Sequence, residues 1–377
     1  MKVLSLFSNI GVAEARLNEL NIDVVIANEL IERRAKLYNE IYPETKMIIG
    51  DIKDKLVFDS IVKESIEENI DIIMATPPCQ GMSTVGTKKK DDDRNTLILP
   101  VLEMIKTIKP KHVFLENVPG FLKTEILVNE KWILIIDLIK EVLSQEYHIE
   151  VNILNSRDYG VPQSRERAII LLSRKDKNVK HWLSPVEYMQ EITMEDAIGK
   201  LPSVDPILKD VSDEELNDIF PQFHQKLEEA KKFSKWHVPP VHIKRQVQAM
   251  MYTPTGKTAF DNEKYYPKKE NGDPVKGYRN TYKRQNWDTP AYTITMDNRK
   301  ISSQNNVHPG RYIGKNSKGE RMYSDARALT IYEIMKITSL PDDWNLPDDV
   351  PEAFLRSVIG EGIPPLFVKT IFEKLVE

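Results

Sequence analysis

Ile70-Asp71-Ile72-Ile73-Met74-Ala75-Thr76-Pro77-Pro78-Cys79 is the stretch of this 377-residue chain around which the fold is organised. Residues 70–75 are apolar except for Asp71 and rich in β-branched side chains, which is typical of a buried parallel strand. The two prolines that follow end the strand, because each fixes φ at about −65° and neither offers an N–H group. Cys79 is therefore expected on a rigid elbow at the carboxyl end of a strand, where a nucleophile can act.

A lone cysteine also has a plainer interpretation, since free cysteine is often a small buried apolar side chain. Cys79 is the only cysteine of the chain, which excludes an intramolecular disulfide and fits a reducing compartment. No cysteine and histidine cluster has zinc spacing, and no apolar run is long enough to span a membrane. The formal net charge of −4 argues against a strongly basic nucleic-acid binder, so the charge distribution matters more than the total.

Strand and helix patterns alternate along the first half of the chain. The amino terminus reads as a first strand over 2–7 and not as a secretory signal, because polar residues and glycine follow at once. Further strands are predicted at 23–27, 47–49, 70–75, 112–115, 148–154 and 168–172, and helices at 12–19, 31–40, 56–67, 97–108 and 133–143. This order predicts an α/β fold with a doubly wound, mostly parallel, Rossmann-like sheet that ends in a hairpin.

The alternation stops near residue 178, and loops rich in Pro, Gly, Tyr and Lys follow as far as residue 311. Ser212-Asp213-Glu214-Glu215 predicts a capped acidic helix, and helical spacing returns at 328–337 and 365–375. Residues 241–300 hold 12 Lys+Arg against 6 Asp+Glu, a local charge of +6, so the rest of the chain carries −10. We predict a larger domain of 1–179 with 327–377, and a smaller, loop- and β-rich domain of 180–326 that faces a polyanion.

Polar residues follow the predicted strand ends, where doubly wound sheets bind ligands. Gly11, in Phe7-Ser8-Asn9-Ile10-Gly11, would let a ligand approach the backbone of the first turn. Glu29 ends the second strand, where a carboxylate can bind ribose hydroxyls, and Asp51 ends the third, where it can accept from an adenine amino group. Each acid alone also fits a solvated strand end. Together, at successive strand ends, they indicate a nucleoside-type cofactor.

Glu116 lies at the end of the predicted strand 112–115, the next strand after the one that leads to Cys79. A buried carboxylate at this position costs free energy, so its presence indicates a function. In Gln163-Ser164-Arg165-Glu166-Arg167 the glutamine and both arginines recur with period two, so an extended chain projects all three to one face. A salt bridge from Glu116 to either arginine is the plain structural alternative. Such a pair is also compatible with a catalytic role.

These motifs, taken together, resemble those of the C5-cytosine DNA methyltransferase family of the prokaryotic modification type, in order along nearly the whole chain. The first motif is 7–11, and the second is 77–80, which continues through Ser83, Gly86 and Arg94. The others are 116–118, 163–167, the segment 327–330 that runs on to 339–344, and 360–365. The part without resemblance, about 180–283, is where the family carries its variable target-recognition region. Four residues depart from the family pattern, at two glycines, an aromatic and an asparagine: Asn9, Val12, Met82 and Glu361.

The resemblance implies an enzyme that flips a cytosine out of duplex DNA, adds Cys79 to C6 and methylates C5. Arg165 or a strand-end dipole would favour the thiolate, and Glu116 would hydrogen-bond the cytosine. The implied catalytic residues are Cys79, Glu116, Gln163, Arg165 and Arg167. The implied contacts to the cofactor S-adenosylmethionine are Phe7, Asn9, Ile10, Gly11, Glu29, Leu30, Asp51, Ile52, Pro78, Leu97, Glu361, Gly362 and Ile363. The implied DNA contacts are Gln80, Ser83, Val85, Arg94, Lys244, Arg245, Arg279, Lys283 and Arg284.

The expected product is S-adenosylhomocysteine, and the expected partner is double-stranded DNA. The resemblance further implies a monomer that binds no metal ion and does not associate with a membrane. It would be a cytoplasmic, nucleoid-associated protein. Its role would be that of the modification enzyme of a restriction-modification system, beside an endonuclease with which it forms no lasting complex.

The sequence also bears on three other functions. A tRNA cytosine-5 methyltransferase of the same fold would carry an additional Cys-Phe-Thr segment, which a chain with one cysteine cannot contain. An adenine-amino methyltransferase would need an acid or amide before the prolines and an aromatic after them, where Thr76 and Cys79 stand. A catalytically silent DNA-binding relative would have no need of Cys79, Glu116 and Arg165 together.

Overall fold

A seven-stranded sheet forms the centre of the protein. The computed structural model describes residues 1–78, 93–176, 178–186 and 189–377. The strands of this part are β1 (Lys2–Leu6), β2 (Asp23–Glu29), β3 (Lys46–Ile49), β4 (Ile72–Ala75), β5 (His112–Asn117), β6 (Glu125–Val128), β7 (Lys131–Leu134), β8 (Tyr147–Asn155), β9 (Glu166–Arg174), β10 (Ile207–Leu208), β11 (Val241–His242), β12 (Tyr312–Lys315) and β13 (Arg321–Tyr323). The central sheet has the order β3-β2-β1-β4-β5-β9-β8. β1 to β5 are parallel to one another, and β9 is antiparallel to both β5 and β8.

Helices cover both faces of this sheet, and others lie outside it. The helices of the described chain are α1 (Glu32–Ile41), α2 (Lys55–Glu67), α3 (Ile98–Ile108), α4 (Ile135–Leu143), α5 (Met194–Ile198), α6 (Asp213–Ile219), α7 (Phe223–Phe233), α8 (Lys244–Met251), α9 (Ile331–Ile337), α10 (Glu352–Glu361) and α11 (Pro365–Val376). The predicted α/β class, with a mostly parallel sheet and a terminal hairpin of β8 and β9, is confirmed.

The two faces of the sheet are buried by different parts of the chain. α2, α3 and α4 pack on one face. On the other face α11 brings Phe372 against Phe114 of β5 and Trp182, with ring centroids 5.4 Å and 4.8 Å apart. Burying large aromatic side chains supplies a large hydrophobic driving force. The last segment of the chain therefore packs on the central sheet.

The helix predicted over 12–19 is wrong. This segment contains successive turns and a 3₁₀ helix, Leu17–Leu20. Its backbone bonds run from residue i to i−3, as from Glu14 N–H to the carbonyl of Gly11 at 3.2 Å. Apolar spacing is similar for both kinds of helix, and here the buried side chain of Glu14 bonds to the sheet and keeps the turn tight.

A hairpin that periodicity did not reveal precedes α4. β6 and β7 pair with each other and stand outside the central sheet. The helix predicted over 133–143 includes Ile133 and Leu134 of β7, whereas α4 begins at Ile135. Short apolar runs fit either structure, so only the turn at Asn129 and Glu130, both with positive φ, distinguishes the hairpin.

The middle of the chain has its own small core. Residues of α6, α7 and α8 and of the loops around Tyr282, Ile301 and Val307 form this cluster. Ser212 caps α6 by accepting from the N–H of Glu215, as predicted. Two-stranded sheets, β10 with β11 and β12 with β13, complete the regular structure described between residues 200 and 326. α5, by contrast, packs with Ile10 and Val12 of the larger unit.

Candidate active site

The backbone that leads to Cys79 is held by both neighbouring strands. Thr76, directly after β4, donates its N–H to the carbonyl of Leu6 at 3.3 Å. Asn117, buried at the end of β5, donates from Nδ2 to the carbonyl of Pro77 at 2.9 Å. These bonds fix the proline elbow directly before the expected nucleophile. In the sequence, Asn117 lies within the motif 116–118, but nothing there indicates that its side chain would bond to Pro77.

Four expected site residues lie outside the described part of the chain, within 79–92: Cys79, Gln80, Ser83 and Val85. Their roles remain predictions. The description resumes with a 3₁₀ helix, Asp93–Leu97, on which Arg94 is exposed and Leu97 is buried. Arg94 therefore lies at the surface, just before the start of α3.

Glu116 is paired with Arg167. The two side chains lie on adjacent antiparallel strands, β5 and β9, in which Asn117 stands opposite Ala168. Arg167 Nε lies 2.7 Å from Glu116 Oε1, and the side chains are only 13% and 11% exposed. An ion pair with this little solvent holds its partners more firmly than a surface pair. Arg167 thus orients the Glu116 carboxylate at the carboxyl edge of the sheet, next to the elbow held by Asn117.

Arg165 has a different set of contacts. Its Nη1 donates to the carbonyls of Ile294 at 2.9 Å and Gly360 at 3.2 Å, and its Nη2 donates to that of Glu361 at 2.9 Å. Gln163 acts beside it, since its Oε1 accepts from the N–H of Ile294 at 3.2 Å. Both side chains are buried. These bonds join the loop before β9 to the middle of the chain and to the end of α10, and the expected effect of Arg165 on a thiolate remains a prediction.

The first turn and the end of β2 share one carboxylate. Glu29 is 6% exposed; its Oε2 accepts from the N–H of Asn9 and its Oε1 from that of Ile31, both at 2.9 Å. Asn9 has a φ of 51°, a left-handed conformation that asparagine tolerates. Asp51, at the end of the third strand, is partly exposed and accepts from the N–H of Lys53 at 2.9 Å. The three predicted strand-end features therefore lie along one edge of the sheet.

Apolar side chains are exposed beside these acids. Leu30 is 61% exposed, Ile31 44% and Ile49 42%. Such side chains at the carboxyl ends of β2 and β3 can cover the faces of a planar ring. Three other expected contacts belong to the core and can offer a ligand only backbone atoms: Ile10, Ile52 and Ile363.

Gly11 is required by packing as well as by conformation. Its φ is 78°, and a Cβ there would lie 2.2 Å from the ring of Tyr42. The Tyr42 hydroxyl donates to the carbonyl of Gly11 at 2.7 Å, and Trp344 Nε1 donates to that hydroxyl at 3.0 Å. The turn is thus supported from α1 and from the segment before α10. The sequence was compatible with a ligand or with an ordinary turn at this glycine, and it gave no sign of the tyrosine ring that packs there.

Glu14 is a buried acid that the sequence did not single out. It is 4% exposed and accepts hydrogen bonds from the hydroxyls of Ser5 and Tyr38. Burial, the largest effect, raises the pKa of Glu14 to about 7, although both hydrogen bonds oppose this rise. In the sequence, Glu14 is a charged residue within a predicted amphipathic helix, on which it would face solvent. The pattern therefore gave no indication that Glu14 is buried.

Glu14→Gln is expected to gain stability relative to the parent as pH rises. Because the carboxyl pKa is raised, the folded state holds the proton more tightly than the unfolded state does. The resulting contribution of Glu14 to the free energy of unfolding is fully present below pH 4.5 and is lost as the pH rises through about 7. Glutamine cannot ionise, so the difference in unfolding free energy should shift towards the variant by on the order of 2 kcal/mol between pH 5 and 8. Urea denaturation at both pH values measures it, with the exposed Glu44→Gln as matched control. An unchanged difference would contradict a buried, titrating Glu14.

Arg284, expected to contact DNA, is a structural residue. It is fully buried, and burial is the main effect that lowers the pKa of its guanidinium to about 9. Its two terminal nitrogens donate, at 2.8–3.1 Å, to the backbone carbonyls of His308, Asp325, Met250 and Ser324. A side chain enclosed in this way cannot reach a nucleic acid. The prediction of a DNA contact at Arg284 is therefore wrong, because a basic residue in a basic stretch gives no sign of its burial.

The other expected basic contacts lie at the surface. Lys244 pairs with Glu215, and Arg279 pairs with Asp261. Lys283 bonds to the hydroxyl of Tyr292 at 3.0 Å and lies over its ring. Arg245 on α8 is exposed, and within the described residues it has no carboxylate partner. Exposed surface pairs can exchange a carboxylate for a phosphate at small cost, so these residues remain candidates.

Two classes of site are absent from the described residues. The helices between residues 1 and 377, leaving aside 79–92, 177 and 187–188, include none that could span a bilayer. In the same part of the chain, no three His, Cys, Asp or Glu side chains are grouped so that they could hold a metal ion.

Comparisons with known proteins agree on one relationship. The family described as C-5 cytosine-specific DNA methylase matches residues 1–377. The chain is 42% identical over 379 residues to type II methyltransferase M1.HgaI of Avibacterium volantium, which covers 99% of this chain and 97% of the relative. It is 25% identical over 377 residues to M.NgoPII of Neisseria gonorrhoeae, which covers 97% of this chain and 92% of the relative. A prophage-encoded DNA modification methyltransferase of E. coli shares the fold, with a TM-score of 0.66 at 19% identity over 100% of this chain and 98% of that one.

Proposed function

The chain belongs to the C-5 cytosine-specific DNA methylase family, and from this premise we propose that Cys79, Glu116 and Arg167 carry out its methyl transfer. As a member it is an S-adenosylmethionine-dependent DNA (cytosine-5-)-methyltransferase that acts on DNA. The observation that most supports the residue assignment is the half-buried Glu116–Arg167 pair beside the elbow that Asn117 holds.

Cys79 would act as the nucleophile. Its thiolate adds to C6 of cytosine, and the electron pair of the C5–C6 double bond becomes available at C5 for attack on a methyl group. Loss of the C5 proton then expels the thiolate from C6 and restores the aromatic ring. Because the chain around Pro77 is fixed, the sulfur would need little reorganisation to reach the base.

Glu116 would recognise and activate the cytosine. Its side chain can hydrogen-bond N3 and the exocyclic amine, and a protonated Glu116 would donate to N3 and stabilise charge that develops on attack. Arg167, at 2.7 Å, keeps the carboxyl group in one orientation. A stacked base cannot reach these residues, so the cytosine is turned out of the duplex at a cost of a few kcal/mol. Contacts from Gln80, Ser83, Val85 and Arg94 would offset that cost.

S-adenosylmethionine, when bound, supplies an electrophilic methyl group on a sulfonium. The described residues fit this cofactor. Glu29 would bind the ribose, Asp51 would accept from the adenine amine, and Leu30 would cover a face of the adenine ring. The turn 7–11 would contact the rest of the cofactor. Phe7 and Pro78 are partly exposed at the same edge, and Gly362 packs its backbone on Val12. The reaction needs no metal ion.

The family relatives suggest the biological setting. The Avibacterium and Neisseria proteins are named type II methyltransferases, and we propose the same class for this chain, as the modification enzyme of a restriction-modification system. The cognate endonuclease would recognise the same sequence without forming a lasting complex, and the methyltransferase would act as a monomer on DNA in the nucleoid.

We further propose that 1–179 with 327–377 form the catalytic domain and that 180–326 recognise the target sequence. The separate core of α6, α7 and α8 and the basic excess of 241–300 support this division. The exposed Arg245 and the half-buried Lys283 would contact phosphates or bases across from Cys79.

The function is tested by expression in a host whose genome lacks cytosine methylation. Sequencing modified cytosines should show methylation at C5 within one short recurring sequence, and purified tRNA should not be methylated. Methylation of tRNA alone would favour the RNA enzyme of the same fold. Specific DNA binding without any methylation would favour a catalytically silent relative.

Glu29→Ala is expected to weaken S-adenosylhomocysteine binding by at least about 10-fold. The variant loses charge-assisted hydrogen bonds to the ribose, each worth roughly 1.5–3 kcal/mol, and also frees the N–H of Asn9. Calorimetric titration measures the change, and DNA binding without cofactor should hardly differ. Unaltered cofactor affinity would remove Glu29 from the pocket.

A further inference from the structure

The two-stranded ribbon of β12 and β13 carries unpaired positive charge. Residues 311–323, which lie beyond the basic stretch 241–300, hold 4 Lys+Arg against 1 Asp+Glu, a local charge of +3. One of these cations, Arg311, is paired with Glu195. The other three are exposed and have no carboxylate partner within the described residues: Lys315, Lys318 and Arg321. The positive charge of the ribbon is therefore concentrated at its turn.

Two of these cations face each other across the ribbon. Lys315 stands directly opposite Arg321 in the antiparallel register, so both side chains project from the same face. The guanidinium of Arg321 lies over the ring of Tyr312, 4.8 Å from the ring centroid, which helps to hold it on this face. Like charges directly opposite each other destabilise a pair of strands, and a shared anion would remove that repulsion.

The one acid of the ribbon is bound to other partners. Glu320 accepts hydrogen bonds from the Tyr265 hydroxyl at 2.6 Å and from Asn316 Nδ2 at 2.7 Å, and it is paired with Lys264. These contacts, that of Lys264 first, lower the pKa of the Glu320 carboxyl to about 2, so it stays ionised and bound to them. Glu320 thus attaches the ribbon to the preceding loop and leaves the two facing cations without a counter-charge.

The turn of the ribbon has a well-defined frame. Asn316 donates its N–H to the carbonyl of Glu320 at 3.0 Å, and its Oδ1 accepts from the N–H groups of Lys318 at 2.9 Å and Glu320 at 3.0 Å. Its Nδ2 also donates to the Tyr252 hydroxyl at 3.2 Å, and the Tyr252 ring stacks on that of Tyr265 with centroids 3.7 Å apart. Because the backbone is already ordered, binding a ligand there costs little conformational entropy of the main chain.

We propose that the turn of this ribbon binds the phosphate backbone of duplex DNA, with one phosphate held between Lys315 and Arg321. Lys318 adds to the positive potential around that phosphate. The inference rests on the proposed function, which makes DNA the polyanion, and it adds a contact outside the basic stretch that supports the recognition domain. Phosphate contacts position a protein on the duplex and carry no sequence information directly.

The test measures duplex binding by the full chain at several salt concentrations. The probe is a duplex that carries the sequence methylated in the host genome, and fluorescence anisotropy reports its binding. Lys315→Gln combined with Arg321→Gln should weaken binding by about 10-fold and lower the slope of log affinity against log salt by about one unit, as for one lost phosphate. The methylated sequence should not change, and a changed target sequence would overturn the phosphate contact.

Lys2→Gln combined with Lys63→Gln is the matched control. It removes the same charge from the opposite edge of the central sheet, where β1 begins and α2 ends, at side chains that are 47% and 70% exposed. The salt dependence of this control should match that of the parent. An equal change of slope in both double variants would mean that only the net charge matters, and it would overturn the ribbon contact.

Thermal unfolding distinguishes a phosphate contact from a structural role. The ribbon double variant should unfold at a temperature no lower than the parent's, because it removes a repulsion between like charges. Lys315→Arg, which retains the charge, should keep the parent's salt slope. A lowered unfolding temperature together with weaker binding would mean that the two cations stabilise the ribbon, which contradicts the proposal.

The outcomes also separate the ribbon contact from the proposed function. A parent that binds and methylates the duplex, with a salt slope that the Lys315→Gln and Arg321→Gln substitutions leave unchanged, refutes only the ribbon contact. A parent that neither binds nor methylates any duplex refutes the proposed function itself.

Discussion

Cys79→Ser should lower the rate of DNA methylation by on the order of 10³-fold or more, as for the removal of other catalytic nucleophiles. The serine hydroxyl has a far higher pKa than a thiol, so almost no nucleophilic anion is present at neutral pH. Specific DNA binding and cofactor binding should persist, because the substitution changes one atom and leaves the bonds of Thr76 and Asn117 intact. Methyl transfer from labelled S-adenosylmethionine under single-turnover conditions measures the effect.

A covalent trap provides the control for this variant. DNA with 5-fluorocytosine at the target cannot lose the C5 substituent, so the thioether to C6 remains. The parent should form this adduct, and peptide mapping should locate it at Cys79, the only cysteine. Cys79→Ser should form none. Activity comparable to the parent's, or an adduct on another residue, would refute the nucleophile.

Arg284→Ala should destabilise the small core between residues 200 and 326 by at least about 3 kcal/mol. The substitution removes the donors of four backbone carbonyls and leaves a cavity where a fully buried side chain had been. Gly310 shows how closely this site is packed, since a Cβ there would lie 2.2 Å from Arg284 Nη1. Urea denaturation followed by tryptophan fluorescence measures the loss.

Arg245→Ala is the matched control, because it removes the same side chain from an exposed position on α8. Its stability should stay within about 0.5 kcal/mol of the parent's. DNA affinity should fall instead, with a salt dependence reduced by about one unit if Arg245 contacts a phosphate. Normal stability of Arg284→Ala combined with altered sequence preference would return Arg284 to the DNA interface.

The order of structural elements could be read from the sequence to a large extent. The strands from β1 to β5 and the hairpin of β8 and β9 lie within a few residues of their predicted bounds. Parallel strands buried on both sides have long apolar runs with clear ends, so their pattern is strong. The segment 12–19 failed because a helix and a series of tight turns bury apolar residues at similar spacing.

The chain order of the motifs by itself determined the fold class, the family and the choice of Cys79, Glu116 and Glu29 as candidates, because these depend on residue type and local spacing. Only the tertiary structure decided which arginine meets Glu116, that Arg284 is buried and that Asn117 holds the elbow at Pro77. Arg165 and Arg167 are equivalent in the sequence, yet one bonds to backbone carbonyls and the other to a carboxylate. The physical reason is that a partner, and the exclusion of water around it, comes from segments distant in the sequence: Pro77 lies 40 residues from Asn117, and Ile294 lies 129 residues from Arg165. Local pattern carries no information about such pairings, whereas burial and distance define them.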